Sequence, residues 1–296
     1  MPASSSEIGQ ALRDAITRNV RDALAEDVGD GDLTARLVDA EAIAGASVIA
    51  REGAVIAGAP WVDEVFAQID PDIIVDWYVG DGQRADAGDV VCKLVGKARA
   101  LLTGERSALN FLQTLSATAT ETARYVERIR DTGARLLDTR KTLPGLRQAQ
   151  KYSVRMGGGE NHRSGLYDAI LIKENHVTSA GSIAAALAAA QAVADERTAD
   201  GQILIEIEVE SIAELEEALD SGAERVLLDN FSLDELREAV ALAARPARRH
   251  TQLEASGNIT LDSIRGVAET GVDFISTGAI TKNVRAVDLS MLFRID

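Results

Sequence analysis

Six short apolar runs in the second half of the 296-residue chain close on residues that can do chemistry. The run 134–138 ends on Asp138, with Arg140 and Lys141 just beyond it, and 169–173 ends on Lys173. Next, 203–209 carries Glu208, 225–229 ends on Asp229, 252–255 carries Glu254 with Ser256 beyond it, and 273–277 ends on Thr277, followed by Gly278. In a βα barrel the C-terminal strand ends share one rim, where such barrels hold their active sites. Each residue also has a plain structural reading: Asp229 can cap the next helix, and Glu208 can pair with a lysine inside the barrel. Acids and bases converging on one rim are costly to bury unless they pair or meet a charged ligand. Together they point to a site for a small charged molecule.

The sign of that molecule follows from the loops. Ser256-Gly257-Asn258 and Thr277-Gly278-Ala279 each follow an apolar run, and glycine lets backbone amides approach a ligand closely. The helix-like stretch 261–269 after the first loop would add the unpaired N–H groups of a helix start, so both loops suit phosphate. Gly157-Gly158-Gly159 before Asn161-His162-Arg163 predicts a flexible turn presenting two donors, with a plain loop as the alternative. Between Arg140 and Lys173 stand seven Lys or Arg (Arg140, Lys141, Arg147, Lys151, Arg155, Arg163, Lys173) against two acids, Glu160 and Asp168. Such a run is either an anion pocket or a solvated helix face.

These residues need elements to position them. Ile8, Leu12, Ile16, Val20 and Leu24 recur at four-residue spacing, which predicts a helix ending before Gly29. Short β-rich runs at 46–50, 73–79 and 90–95, punctuated by Gly53, Gly58, Gly80, Gly82 and Gly88, predict a small α+β domain. Within it, 82–94 is similar to the turns of a biotinyl or lipoyl carrier, without a lysine at a clear hairpin tip. Residues 105–130 predict a helix bridging two domains, with Leu109, Leu112, Leu115 and Ala119 facing one way. After it, β-like and helix-like runs alternate at the spacing of βα units. The expected fold is α/β, a barrel of six to eight parallel strands, with an open doubly wound sheet as the alternative.

The chain is long enough for such a barrel and a smaller companion domain. An apolar fraction of 46% with 26% charged residues is ordinary for a globular protein. A net charge of −16 argues against nonspecific binding to nucleic acid or membrane surfaces. The apolar stretch 183–190 is mostly alanine and is broken by Gln191 and Asp195, well short of the roughly 20 apolar residues of a membrane span. Cys92 is the single cysteine, and residues 1–10 lack a basic region followed by an apolar run, so a cytoplasmic protein is expected.

The motif block Asp138-Thr139-Arg140-Lys141-Thr142-Leu143-Pro144-Gly145-Leu146-Arg147, with 157–163, 167–176 (YDAILIKENH), 227–231 (LLDNF) and 254–257, resembles the quinolinate phosphoribosyltransferases. Glu26-Asp27, Gly31-Asp32-Leu33-Thr34, Gly104-Glu105-Arg106 and Leu109-Asn110 extend the resemblance over nearly the whole chain. Glu160 and Met156 depart from it, at positions that carry no role. The resemblance implies an α/β sandwich domain at 1–115, an incomplete α/β barrel at 116–280, the type II phosphoribosyltransferase architecture, and a C-terminal segment at 281–296 packing back on the first domain. It implies that Thr139, Arg140, His162, Arg163 and Lys173 bind quinolinate, with Arg106 donated by a partner subunit of a homodimer. Lys141 is then a catalytic contact to the pyrophosphate of phosphoribosyl pyrophosphate, and Glu208 and Asp229 are catalytic ligands to the ribose and Mg²⁺. Ser256, Gly257, Asn258, Thr277, Gly278 and Ala279 are expected to cradle the 5′-phosphate. Three alternatives remain at this level: a class I aldolase with Lys173 as Schiff-base lysine, a nonenzymatic carrier or anion-binding module, and a related enzyme acting on nicotinate. The size of the cationic cluster favours a dicarboxylate over nicotinate.

Overall fold

A computed structural model describes residues 9–197, 203–245 and 251–295, so Ile8 of the helical stripe lies outside the described residues. The chain divides into two compact units, one made of Met1–Ala123, Thr142–Gly158 and Ile280–Asp296, the other of Arg124–Lys141 and Gly159–Ala279.

The first unit opens with helix α1 (Gln10–Val28), which buries Leu12, Ala15, Ile16 and Val20 along the expected stripe and stops at Gly29. Strands β1 (Ile43–Ala50), β2 (Ala54–Val55), β3 (Ile74–Trp77), β4 (Arg84–Ala85) and β5 (Val90–Lys97) follow, with helix α2 (Ala59–Ile69) between β2 and β3. Helix α3 (Ala98–Arg128), α4 (Arg147–Met156), most of α10 (Ala279–Lys282) and strand β12 (Leu289–Ile295) complete it. A four-stranded antiparallel sheet has the order β12-β1-β5-β3, and β2 pairs with β4. The core gathers the fully buried Trp61, Phe66, Leu94, Leu101, Leu112 and Leu115, each worth about 1.5–3 kcal/mol of transfer free energy. Helix α2 begins where Asp81 accepts hydrogen bonds from the Gly58 and Ala59 amides at 3.0 and 3.1 Å. Helix α3 starts at Ala98 rather than at residue 105. Gly104, left just outside the predicted helix, lies inside a continuous one, and a Cβ there would meet Phe66 Cε1 at 2.6 Å, so close packing demands glycine.

The second unit contains strands β6 (Arg135–Leu137), β7 (Ala169–Ile172), β8 (Leu204–Val209), β9 (Arg225–Asp229), β10 (Gln252–Ser256) and β11 (Phe274–Ser276). They form one parallel six-stranded sheet in the order β6-β11-β10-β9-β8-β7, an incomplete α/β barrel left open between β6 and β7. Its strands fall within the six predicted runs, β10 reaching one residue further. Helices α5 (Glu174–Ala180), α6 (Ile183–Asp195), α7 (Ile212–Asp220), α8 (Leu233–Ala243) and α9 (Ile264–Ala268) connect them. Ser182, Ser211 and Ser232 fix the starts of α6, α7 and α8 by accepting from the amides of Ala185, Glu214 and Glu235. No single helix among the described residues is long and apolar enough to cross a membrane; α5 and α6 pass only as a pair bent by 96°.

Side chains alternate along a strand, so Glu206 and Glu208 of β8 share a face while Ile207 and Val209 pack on the other. Glu208 is level with Leu227, and Leu227 with Glu254, which puts these positions on one face of the sheet.

Candidate active site

The rim is built first from β6. Asp138, fully buried at its end, accepts from Asn161 Nδ2 at 2.7 Å and from the His162 amide at 2.9 Å. Leu137 forms an isolated parallel bridge with Glu160, so the stretch leading to Arg163 runs beside the strand end. The His162 ring is held on both sides. Its Nδ1 accepts from the Arg163 amide at 2.7 Å, and its Nε2 stands 2.7 Å from Glu206 Oε2 and 3.7 Å from Glu254 Oε2. An imidazole accepting at Nδ1 carries its proton on Nε2, so Glu206 is the acceptor and both ring nitrogens are engaged within the protein.

Burial governs the electrostatics here. It pushes the Glu254 carboxyl up to about 8, reinforced by the charge of Glu206, and it raises Glu206 as well. Burial, then the neighbouring Arg140, lowers Arg163, with Glu206, Asp168 and Glu208 acting in the opposite sense. The charges of the two guanidinium groups thus repel, an arrangement that an anion relieves. Burial also opposes ionisation of Asp168, but the Ser164 and Gly165 amides, at 2.6 and 2.9 Å, outweigh it and hold the turn after Arg163.

At the strand ends Lys173 and Glu208 form an ion pair, the lysine partner that the structural reading of Glu208 anticipates. Carboxylate oxygens of Glu208, Glu210 and Asp229 lie within 4.8 Å of one another, a group able to hold a cation. Burial and then the charge of Glu208 raise the Asp229 carboxyl against the pull of Lys173 and Lys141.

Asn230, with φ 60°, donates its amide to Ser256 O at 2.9 Å and accepts from Asn258 Nδ2 at 3.2 Å, so the end of β9 holds the loop after β10. Thr277 Oγ1 reaches Ile259 O at 3.2 Å and also accepts from the Ala279 amide. Gly278 lies against Thr139 and Lys141, where a Cβ would meet the Lys141 side chain at 3.0 Å, while the Lys141 amide donates to Thr139 Oγ1. Ser256–Asn258, Thr277–Ala279 and Thr139–Lys141 therefore converge. Helix α9 begins only at Ile264, beyond the loop, so the amides of the loop rather than a helix start are what Ser256–Asn258 offers.

Other expectations resolve differently. Of the basic run, Arg140, Lys141, Arg163 and Lys173 belong to the second unit, whereas Arg147, Lys151 and Arg155 lie on α4 of the first, where Lys151 is buried. Arg106 is exposed on α3 of the first unit. Gly157 and Gly158 do form a turn, with Gly158 at φ +86°, and Gly157 is demanded by packing as well: a Cβ there would meet Ala119 O at 2.4 Å. Sequence reading passed over Glu206 and Glu210. The signal for both was the i, i+2 spacing of acids in Glu206-Ile207-Glu208-Val209-Glu210.

An open α/β barrel whose rim gathers guanidinium groups, carboxylates and two glycine-bearing loops is an enzyme-type site for small phosphorylated or carboxylated anions. Family patterns described as "Quinolinate phosphoribosyl transferase, N-terminal domain" and "C-terminal domain" match residues 32–116 and 118–292. The chain belongs to the quinolinate phosphoribosyl transferase family. It is 41% identical over 266 residues to a probable nicotinate-nucleotide pyrophosphorylase (carboxylating) of Bacillus subtilis, covering 90% of this chain and 89% of that protein. It is 41% identical over 286 residues to the nicotinate-nucleotide pyrophosphorylase (carboxylating) of Mycobacterium leprae, covering 94% and 97%. The solved nicotinate-nucleotide pyrophosphorylase of Francisella tularensis superposes with a TM-score of 0.89 at 46% identity, covering 95% of this chain and 97% of that one.

Proposed function

We propose that the protein transfers the phosphoribosyl group of phosphoribosyl pyrophosphate to quinolinate, with decarboxylation, giving nicotinate mononucleotide, pyrophosphate and CO₂ for NAD biosynthesis. The observation that carries this reading is that one unit brings together Arg140, Lys141, Arg163, Lys173, Glu208, Asp229 and the two glycine loops, with Gly278 against Thr139 and Lys141 and Lys173 paired to Glu208. Paired guanidinium forks suit a planar dicarboxylate, and nicotinate has a single carboxylate. Arg140, Arg163 and Lys173 take the carboxylates, with Thr139 and His162 lining the pocket. Ser256, Gly257, Asn258, Thr277, Gly278 and Ala279 take the 5′-phosphate through backbone amides and hydroxyls.

Glu208 and Asp229 are assigned to the ribose and to Mg²⁺. Burial and then the charge of Glu208 raise Asp229, a repulsion that a bound cation would relieve, and Glu210 stands beside them. Mg²⁺ bound there supplies neutralisation of the leaving pyrophosphate. Lys141 contacts the same pyrophosphate as a point charge. As the C1–O bond to pyrophosphate breaks, the sugar becomes cation-like and the carboxylates of Glu208 and Asp229 stabilise the developing charge. The pyridine nitrogen attacks with its own lone pair and needs no base. Ribosylation leaves that nitrogen positively charged, which stabilises the electron pair left at C2 when the adjacent carboxylate departs as CO₂; a proton then replaces it.

We further propose a cytoplasmic homodimer in which Arg106 reaches the partner's site, a reading supported by the exposure of Arg106. Neither nucleic acid nor membrane is a partner on this reading, in keeping with the net charge of −16. The test is incubation with quinolinate, phosphoribosyl pyrophosphate and Mg²⁺: nicotinate mononucleotide and CO₂ in equal amounts are expected. Turnover with nicotinate alone would replace quinolinate as the substrate, and a Schiff base trapped by borohydride on Lys173 would revive the aldolase reading.

A further inference from the structure

Asn161, His162 and Arg163 lie outside any helix or strand, although Arg163 is assigned to the substrate's carboxylates. What holds this stretch is a pair of buried carboxylates. Asp138 takes its main chain at the His162 amide and its side chain at Asn161 Nδ2. Glu206, 1% exposed, takes the ring of His162 at Nε2. Because Nε2 must then carry the proton, Nδ1 is left bare, and it is Nδ1 that receives the Arg163 amide. The opposite tautomer would aim N–H at N–H. At its other end the Arg163 guanidinium donates to Ala169 O at 3.4 Å.

We infer that Glu206 is a positioning residue for the carboxylate-binding arginine: by accepting from His162 Nε2 it selects the ring tautomer that fixes the main chain of Arg163. The inference rests on the proposed role of Arg163 in binding quinolinate. It gives a buried acid, one absent from the direct ligand set, an indirect hold on the substrate's carboxylates. It also decides what the cluster is for. His162, Glu206 and Glu254 are close enough to hold a cation, but ligation through Nε2 would move the proton to Nδ1 and set it against the Arg163 amide. The geometry is that of a hydrogen-bond relay.

The test uses the intact 296-residue chain, whose three histidines make ¹⁵N spectra of the rings assignable. In the unliganded wild type His162 is expected as the Nε2–H tautomer. Glu206→Gln, which keeps an oxygen acceptor, should retain that tautomer and hold KM for quinolinate within about threefold. Glu206→Leu, which removes the acceptor, should lose the tautomer preference and raise KM for quinolinate by about tenfold, the value of one hydrogen bond, with smaller changes in kcat and in KM for phosphoribosyl pyrophosphate. A wild-type ring protonated on Nδ1, a Gln variant as impaired as the Leu variant, or a Leu variant with unchanged KM overturns the inference. If Glu206→Leu does not fold, the tautomers of the wild-type and Gln proteins decide: Nε2–H in both supports it, Nδ1–H in either overturns it. A wild-type protein inactive on quinolinate would sink the functional reading instead, and leave the tautomer result standing.

Discussion

Gly257 and Asn230 pack so closely that a Cβ on Gly257 would meet Asn230 Oδ1 at 2.3 Å, and Gly257 itself has φ +101°. Both facts exclude a side chain there, one by space and the other by backbone strain. Gly257→Ala should therefore displace the loop that Asn230 holds and raise KM for phosphoribosyl pyrophosphate by about tenfold or more, the equivalent of roughly 1–3 kcal/mol of strain. Steady-state kinetics with each substrate varied in turn checks it. An alanine variant with unchanged KM would remove this loop from the phosphate site.

Arg140→Ala or Arg163→Ala should weaken quinolinate binding by roughly 1.5–3 kcal/mol and leave binding of phosphoribosyl pyrophosphate much less affected, because a charge-assisted pair is lost from one ligand alone. Titration calorimetry with both ligands separates the cases. Equal loss for the two would mean that these arginines do not define the acid pocket.

Asp229→Asn is nearly isosteric and removes a charge that burial and Glu208 already oppose. The folded protein should melt at the wild-type temperature or above, while turnover falls by about a hundredfold or more, the scale of one lost electrostatic contact to the transition state. Thermal melts beside kinetics measure both. A collapsed melting temperature with normal turnover of the folded fraction would make Asp229 a structural cap.

The buried acid Glu254 sets a pH dependence of stability. Its carboxyl titrates near 4.5 when unperturbed and at about 8 in the fold, so between these values the folded chain holds a proton that the unfolded chain has released. Its contribution is fully present below 4.5 and is lost as the pH rises to about 8. Glu254→Gln, which cannot ionise, should gain in melting temperature over wild type at alkaline pH relative to pH 5. Parallel melting curves for the two proteins across this range would contradict the assignment.

If Arg106 is donated in trans, an inactive Arg106→Ala chain and an inactive Lys141→Ala chain should complement each other after subunit exchange. A mixed dimer then has one site with both lesions and one with neither. About half of randomly exchanged dimers are mixed, so activity should return to roughly a quarter of wild type for a two-fold symmetric pair. Native mass spectrometry confirms the exchange. No recovery among confirmed heterodimers would put Arg106 in its own subunit's site, or in none.

The barrel strands were legible because fully buried parallel strands are short apolar runs, and because their polar ends stand out against them, as at Asp229 and Lys173. What sequence hid was glycine used for closeness. Gly104 stands just before the predicted helix and Gly157 in a predicted flexible turn, yet each sits where another atom occupies the space of a Cβ. Glu206 was hidden for a different reason. The i, i+2 spacing puts it on the face of Glu208, but nothing in the sequence says that His162 stands across the gap to receive it. Helix α4 was concealed by its own charge, since Arg147, Lys151 and Arg155 read as part of one basic run that the fold splits between two units.

Strand β12 pairs along β1 from Ala44↔Ile295 to Ala50↔Leu289. During synthesis, β1 leaves the ribosome long before its neighbour exists, and for that interval one edge of the nascent sheet has only water to bond with. The whole barrel is translated in the meantime. The first unit is therefore the last to be finished although it is the first to be begun, and folding of the chain cannot proceed simply from one end to the other. A nascent chain stalled before residue 289 should present β1 as an open edge, the form in which such a strand recruits other chains.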